Sequence, residues 1–434
     1  MCSCWQSFLL LVIAVAGCGD GSNGKGSGTG GQSGPVSTSG RGGLNTSGNS
    51  SINTSARFID VTLQSGVTFT YRNGQEADNA AIVESLGGGV ALVDYDGDGD
   101  MDLFFPGGGE FGPDQQIHGR PSALFRNDGG WRFTEVTQLA GVSRAPYYSH
   151  GIAAGDFDSD GFPDLLVTGY GGLQLFQNQG DGTFQEVSAS AGLNDRLWSS
   201  SAAWGDFNGD GHLDLYVTHY VNWSFKNHPY CAGPKKGQRE VCPPREYQPL
   251  PDTLYTSNGD GTFRDVSREV GLRVEGEGLG KGLGVLLADV DVDGDLDIYV
   301  ANDTVPNFLY RNNGQGHFDE VGLMSGTSLS ESGTSDGSMG VDLGDFNLDG
   351  LPDLWVANYE RESFALYRNE GNCNFQHVSQ SVGLTDVGGV YVGWGTVFFD
   401  FDRDGDEDVF VSNGHRSEER RVGKECRARV SPDH

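Results

Sequence analysis

The stretch GLGVLLADVDVDGDLDIYVANDTVPNFLYRNNGQGHFDEV, residues 282 to 321, holds one complete structural unit. It opens with a glycine-bearing apolar run and passes through nine residues, Asp289 to Asp297 (DVDVDGDLD). It resumes as DIYVAN, rich in β-branched and aromatic residues, and ends with two more short runs, FLYRN and HFDEV, joined by an Asn/Gly turn. The reading is strand A, acidic loop, strand B, strand C, turn, strand D.

Five other segments repeat the nine-residue pattern Asp-x-(Asp/Asn)-x-Asp-Gly-x-x-Asp: DYDGDGDMD from Asp94, DFDSDGFPD from Asp156, DFNGDGHLD from Asp206, DFNLDGLPD from Asp345 and DFDRDGDED from Asp400. Each is followed by a run such as DLFFPG, DLLVTG or DLWVAN. Loop-to-loop distances are 62, 50, 83, 56 and 55 residues. Four short strands per period of about 50 residues predict an all-β protein, a β-propeller of four-stranded blades with six loop-bearing units present. The long third interval holds an insertion, Val221 to Asp252, between strands B and C.

Carbonyl and carboxylate oxygens crowded in one tight loop select a hard cation. Residues 1, 3 and 5 can turn inward, and glycine at position 6 permits the bend that brings a position-7 carbonyl and the position-9 carboxylate to the cage. The candidate ligands are Asp94, Asp96, Asp98 and Asp102; Asp156, Asp158, Asp160 and Asp164; Asp206, Asn208, Asp210 and Asp214; Asp289, Asp291, Asp293 and Asp297; Asp345, Asn347, Asp349 and Asp353; and Asp400, Asp402, Asp404 and Asp408. The expected cofactor is Ca²⁺, up to six ions. An EF-hand would need Glu at position 12 and flanking helices, but position 12 is Phe105, Val167, Val217, Val300, Val356 and Val411.

Composition agrees. The 434 residues carry a net charge of −32, and the six loops alone hold 25 aspartates and Glu407, 26 of the 60 acidic residues. A field of that sign repels nucleic acid. With 69 Gly but only 15 Pro, the chain favours a turn-rich β fold over a collagen-like one.

These units resemble the FG-GAP/VCBS-type repeats also found in integrin α-chains, and more closely the cartilage acidic protein family with its C-terminal ASPIC/UnbV domain. The resemblance rests on the six loops, ANDTVPNFLYRN from Ala301, CPPREYQPLPDTLY from Cys242 and GWGTVFFDFDRDGDEDVFVSNGH from Gly393, and covers about residues 57 to 415. It implies a calcium-bearing propeller, usually of seven blades. Phe58 to Thr62 match strand D and are expected to close the last blade, while the text stops after strands A and B of the sixth unit. Seven-bladed closure would further need strands C and D of that blade and A to C of the next, so this polypeptide is expected to expose unpaired edges and aggregate. Residues 416 to 434, RSEERRVGKECRARVSPDH, resemble a translated sequencing adapter and are read as a non-native tail.

At the other end, residues 1 to 17 read as a signal peptide, with Val15-Ala16-Gly17-Cys18 resembling a lipobox whose Cys18 would be acylated. Met1 to Ser7 lacks the usual Lys or Arg. Residues 18 to 56 form the lipidated cysteine and a Gly/Ser-rich linker. The expectation is an exported lipoprotein facing the periplasm or cell surface, touching the membrane through its anchor only. That compartment favours a disulfide between Cys231 and Cys242. A zinc site with His219 and His228 is the weaker reading, since no CxxC or HxxxH spacing occurs.

The B-to-C and D-to-A connections collect Tyr147, Tyr148, His150, Tyr170, Trp198, His219, Tyr220, Trp223, Asp303, Tyr359 and Tyr391 on the face opposite the loops. They read either as a platform for a saccharide or peptide or, favoured residue by residue, as blade packing. Two functions follow: a calcium-stabilised binding or adhesion module for a protein or glycan, or a carbohydrate-active or other enzyme on the same scaffold. No catalytic set is assigned, the prominent carboxylates being committed as ligands, and the binding module is the reading adopted.

Overall fold

The computed structural model describes residues 58 to 414, apart from 234, 236, 273–278, 386, 388 and 390. The signal, Cys18, the linker and the basic tail lie outside the described residues. Five four-stranded antiparallel sheets follow one another along the chain. Blade one is Ala91–Val93, Asp102–Phe105, Ala123–Asn127 and Phe133–Glu135. Blade two is Tyr148–Gly155, Asp164–Tyr170, Gly172–Asn178 and Phe184–Glu186. Blade three is Ser199–Gly205, Asp214–His219, Thr253–Ser257 and Phe263–Asp265. Blade four is Gly282–Ala288, Asp297–Asn302, Phe308–Asn312 and Phe318–Glu320, and blade five is Ser338–Gly344, Asp353–Asn358, Ala365–Asn369 and Phe375–His377. The sixth contributes a hairpin, Val392–Phe399 with Asp408–Gly414. Strand A of each blade packs against strand A of the next, the radial arrangement of a β-propeller.

The B strands explain why apolar residues run consecutively there rather than alternating with polar ones. In DIYVAN all six residues are buried. Ile298 and Val300 face the cluster shared with blade three, whereas Tyr299 and Ala301 face the cluster shared with blade five. Period-two alternation therefore serves two interfaces, and the cores lie between blades. Blade five repeats the device: Leu354 and Val356 turn toward blade four, Trp355 and Ala357 toward blade six.

Neighbouring blades are also tied by polar contacts. The asparagine ending strand C donates from Nδ2 to the second carbonyl of the preceding acidic loop: Asn178 to Tyr95 at 2.8 Å, Asn312 to Phe207 at 2.9 Å and Asn369 to Val290 at 2.8 Å. Blade three has Ser257 at this position.

The strand predicted at Phe58 to Thr62 does not form a ladder among the described residues. Thr62–Ser65 is a single helical turn instead. Phe58 nevertheless takes a specific place. In the other blades the strand D phenylalanine packs on position 2 of the preceding loop, as Phe184 does on Tyr95, Phe263 on Phe157 and Phe318 on Phe207. Phe58 bears the same relation to Phe401 of the sixth unit. On its other side, the left-handed Gly66 abuts the Phe133 carbonyl of blade one as Gly141 abuts that of Phe184 in blade two, a Cβ lying 2.6 Å and 3.0 Å from the respective oxygens. Residues 58 to 67 thus stand where strand D of a blade between six and one would stand.

Candidate metal centres

The six acidic loops fold alike. The first aspartate curls each loop by accepting backbone N–H groups from positions 4 to 6: Asp94 takes Gly97 and Asp98 on Oδ1 and Gly99 on Oδ2, at 3.0 to 3.1 Å. Asp206 takes the same three groups, and Asp156, Asp289, Asp345 and Asp400 take those of positions 5 and 6 in their own loops. Position 4 is left-handed even where it is not glycine, as at Ser159, Val292, Leu348 and Arg403. Such a conformation costs on the order of 1 kcal/mol per residue, which the converging hydrogen bonds offset.

Position 3 distinguishes the loops. Asp96, Asp158 and Asp291 each hold Oδ1 buried with no hydrogen-bond partner. Where asparagine stands there, the oxygen is occupied: Asn208 accepts from Asp210 N at 2.9 Å and Asn347 from Asp349 N at 3.0 Å. Asn347 also donates to the Asp349 carboxylate at 2.9 Å.

Position 9 is more deeply built in than its spacing implies. Both Asp102 oxygens accept backbone N–H groups, Oδ2 from Tyr95 at 3.1 Å and Oδ1 from Asn127 at 2.7 Å. Asp164, Asp214, Asp297 and Asp353 repeat this double bond. Burial pushes Asp102 up to about 6 and Asp164, Asp297 and Asp353 up to about 7, against the pull of those N–H donors. In each of these five loops position 9 ties the loop to strand C of its own blade.

Ligand atoms of Asp94, Asp96 and Asp102 lie within 4.8 Å of one another, as do those of Asp156, Asp158 and Asp164, of Asp289, Asp291 and Asp293, and of Asp400, Asp402 and Asp404. These clusters can hold a metal ion, and the orphaned position-3 oxygens fit one: a cation supplies the missing partner for a buried anionic oxygen. A further neighbour escaped the sequence reading. Cys373, in the C-to-D turn of blade five, donates its thiol to Asp291 Oδ2 at 3.4 Å. Equivalent turns carry Gly182, Gly261 and Gly316. Burial and the adjacent carboxylates push the thiol up to about 12.

The opposite face departs from an open aromatic platform. Tyr148, Trp198, Tyr220 and Trp223 are buried in one cluster with Ala81, Ile82, Cys242 and Tyr247, and His150 is buried beside it. Segment 71 to 86 and the insertion fold over them. Tyr170 donates to Trp223 O at 3.0 Å and Tyr71 to Ser149 O at 2.9 Å. The packing reading holds for these residues. Tyr147 is half-buried under Arg196, Asp303 and Tyr359 are half-buried, and Tyr391 is exposed. Tyr230 in the insertion, also exposed, was not singled out by the sequence.

The insertion carries the expected Cys231–Cys242 disulfide. His219 and His228 are engaged apart: His219 Nε2 lies 2.7 Å from Asp195 and Nδ1 2.8 Å from Pro251 O, while His228 accepts the Trp223 indole N–H at 2.9 Å. The paired-histidine zinc reading therefore has no geometric support. No helix among the described residues is long and apolar enough to cross a membrane.

Repeated four-stranded blades with an acidic loop between strands A and B define a β-propeller of acidic-loop repeats. The FG-GAP-like repeat family model matches residues 114–167, 156–217, 289–356 and 345–411, and the chain belongs to that family. It is 31% identical over 150 residues to mouse (Mus musculus) cartilage acidic protein 1, across 32% of this chain and 23% of that protein. The match thus spans under a quarter of that relative's length. Among solved structures, an Agrocybe aegerita lectin that recognises non-reducing terminal N-acetylglucosamine aligns with TM-score 0.45 and 17% identity over 79% of this chain and 78% of the lectin. The V. cholerae biofilm matrix protein Bap1 aligns at 0.33 and 13% over 66% of this chain and 38% of its own.

Proposed function

We propose that this protein is an exported binding module whose propeller is stiffened by calcium. The observation that carries the calcium reading is the buried, unpartnered Oδ1 of Asp96, Asp158 and Asp291, each inside a loop of oxygen donors. Oxygen-only cages of curled backbone suit Ca²⁺ better than Mg²⁺, which keeps its waters and demands near-octahedral geometry. Asp94, Asp96, Asp98 and Asp102, and their counterparts in the other five loops, would hold the ion. The chain's share of the work is to fix the cage: position 1 curls the loop and position 9 welds it to the blade.

Cys18 would bear the lipid, and residues 19 to 56 would hold the propeller away from the membrane. The ligand, a protein or a glycan, would be met on the face opposite the loops, where Tyr391 and the Tyr230–Arg239 pair remain accessible. Calorimetric titration with Ca²⁺ and with Mg²⁺ tests the metal reading: saturable binding of Ca²⁺ that excess Mg²⁺ does not displace supports it, and equal competition by Mg²⁺ overturns it. A glycan and matrix-protein array, probed with and without chelator, tests the binding reading. Signals lost on Tyr391→Ala or Tyr230→Ala locate the face, and an array without any saturable ligand argues against an adhesive role.

A further inference from the structure

One cluster at the acidic loops contains sulfur. Ligand atoms of Asp291, Asp297 and Cys373 all lie within 4.8 Å of one another, whereas the other such clusters among the described residues are built from aspartate alone. Asp291 and Asp297 are positions 3 and 9 of loop four, Asp289 to Asp297. Cys373 comes from the C-to-D turn of blade five, 82 residues beyond Asp291. The three donors therefore meet across the seam between two blades.

The repeat explains the meeting. In blade four the residue equivalent to Cys373 is Gly316, and a Cβ built there would lie 3.3 Å from the Cβ of Asn208, position 3 of loop three. A side chain at this turn position thus meets position 3 of the loop before it. Glycine suits the turn because its backbone is left-handed, with φ +67° at Gly316 and +56° at Cys373. Cys373 adopts that conformation at a cost on the order of 1 kcal/mol and brings Sγ to 3.4 Å from Asp291 Oδ2.

The donors are held, and acceptor positions remain on them. Cys373 is 5% exposed and Asp297 1%. Asp297 takes the N–H of Val290 at 3.1 Å on Oδ2 and that of Asn312 at 2.8 Å on Oδ1, which fixes its carboxylate while each oxygen keeps a second lone pair. Asp291 accepts the thiol on Oδ2, and its Oδ1 is buried with no hydrogen-bond partner. Arg311 acts on Asp291 and Cys373 through space, but its ion pair is with Asp319 at 3.8 Å. The spacing fits a small tetrahedral ion. Bonds of about 2.3 Å to sulfur and about 2.1 Å to oxygen place those two ligands about 3.6 Å apart. Sγ and Oδ2 already stand at 3.4 Å.

We infer that Asp291, Asp297 and Cys373 form a site for a thiophilic divalent cation of the zinc class, with water as the fourth ligand. The inference deepens the metal reading of loop four, on which it rests for two of its ligands. Thiolate sulfur disfavours Ca²⁺, and one sulfur with two carboxylate oxygens is a set that Zn²⁺ accepts. On binding, the S–H bond breaks, a sulfur–metal bond forms and the proton passes to solvent. No electron is transferred. The bound ion would join blade four to blade five.

Titration of the full chain with Cd²⁺, a spectroscopic substitute for Zn²⁺, reports the sulfur ligand through its ultraviolet thiolate-to-metal charge-transfer band. The parent should show one saturable equivalent of this band more than Cys373→Ser, which keeps a hydroxyl donor toward Asp291. Subtraction cancels the other cysteines. Zn²⁺ should erase the difference band at concentrations comparable to those of Cd²⁺, and Ca²⁺ only at about a hundredfold excess or more. Asp291→Asn, which retains an acceptor for the thiol, should weaken Cd²⁺ binding about tenfold. Equal bands in parent and Cys373→Ser overturn the proposal, as do displacement by Ca²⁺ as readily as by Zn²⁺ and unaltered affinity in Asp291→Asn. Failure of the calcium reading looks different: calorimetry would find no saturable Ca²⁺ binding while the cadmium difference band persisted.

Discussion

The ring of Phe58 lies 4.3 Å from that of Phe401 with the planes 22° apart, and 6.2 Å from Phe410, so the first described residue rests on the last described hairpin. Phe58 remains 41% exposed, and its anchorage is this aromatic contact. Phe58→Ala should therefore loosen residues 58 to 67 locally and weaken the fold by about 1 kcal/mol. Hydrogen exchange reads this out as faster exchange near residues 58 to 67 and at the sixth hairpin, with blades two to four unchanged. Uniform acceleration throughout would show that the contact is not local.

Removing calcium should lower the melting temperature sharply. Each filled loop adds about 2.7 kcal/mol at a hundredfold excess of ion over its Kd, and a few such contributions match a domain's whole margin. Differential scanning calorimetry before and after chelation checks this. An unchanged melt, with metal loss confirmed, would contradict a structural role for the ion.

The loops should fill in a set order. Asn208 and Asn347 remove a charge at position 3, and both amide oxygens are already hydrogen-bonded. The third and fifth loops should bind roughly tenfold more weakly, about 1.4 kcal/mol each. Asn208→Asp should remove that deficit for the third loop in a luminescent terbium titration, whereas an unaltered titration would mean that charge does not set affinity.

Stability should depend on pH with opposite signs in the two metal states. For Asp164, Asp297 and Asp353 the folded value, up to about 7, exceeds the ordinary 3.8. Protonation thus favours the metal-free fold: the contribution is complete below about pH 4 and is lost as pH rises through 7. Chelated protein should melt higher near pH 5 than near pH 8, and calcium-loaded protein lower near pH 5, because acid competes with the ion. Thermal melts across that range decide, and parallel trends would refute the linkage.

Reduction of Cys231–Cys242 should release the insertion. The bridge closes a loop of 11 residues, worth about 3 kcal/mol by chain entropy. Because Trp223 is packed with Cys242 and Tyr247, its fluorescence should shift to the red on reduction while the blades persist. An unshifted spectrum would mean that the insertion holds without its bridge.

The blades were legible because their signals are local: an acidic loop, a β-branched run and an Asn/Gly turn recur at nearly fixed intervals. The disulfide was legible from cysteine placement. Three features escaped because they depend on contacts distant in sequence. Tyr148 and Trp198 read as packing residues, but what covers them, segment 71 to 86 and the insertion, is not visible in the sequence. Cys373 lies 82 residues from Asp291, and only the stacking of blade five on blade four joins them. Position 9 aspartates look like plain ligands, yet their backbone bonds reach across to strand C.

The asparagines that close strand C give the ring an uneven resistance to being pulled apart. Asn178, Asn312 and Asn369 each grip the loop of the blade before them, so tension on one blade passes directly into its neighbour's ion cage. Ser257 offers no such amide, and at the joint between blades two and three Phe263 and Trp204 pack on Phe157 while the polar ties, Thr168 Oγ1 to Ser200 O at 3.1 Å and Phe263 N to Ala191 O at 2.8 Å, bypass the loop. A propeller loaded in shear would pass tension straight into the ion cages of loops one, three and four, and would spare that of loop two.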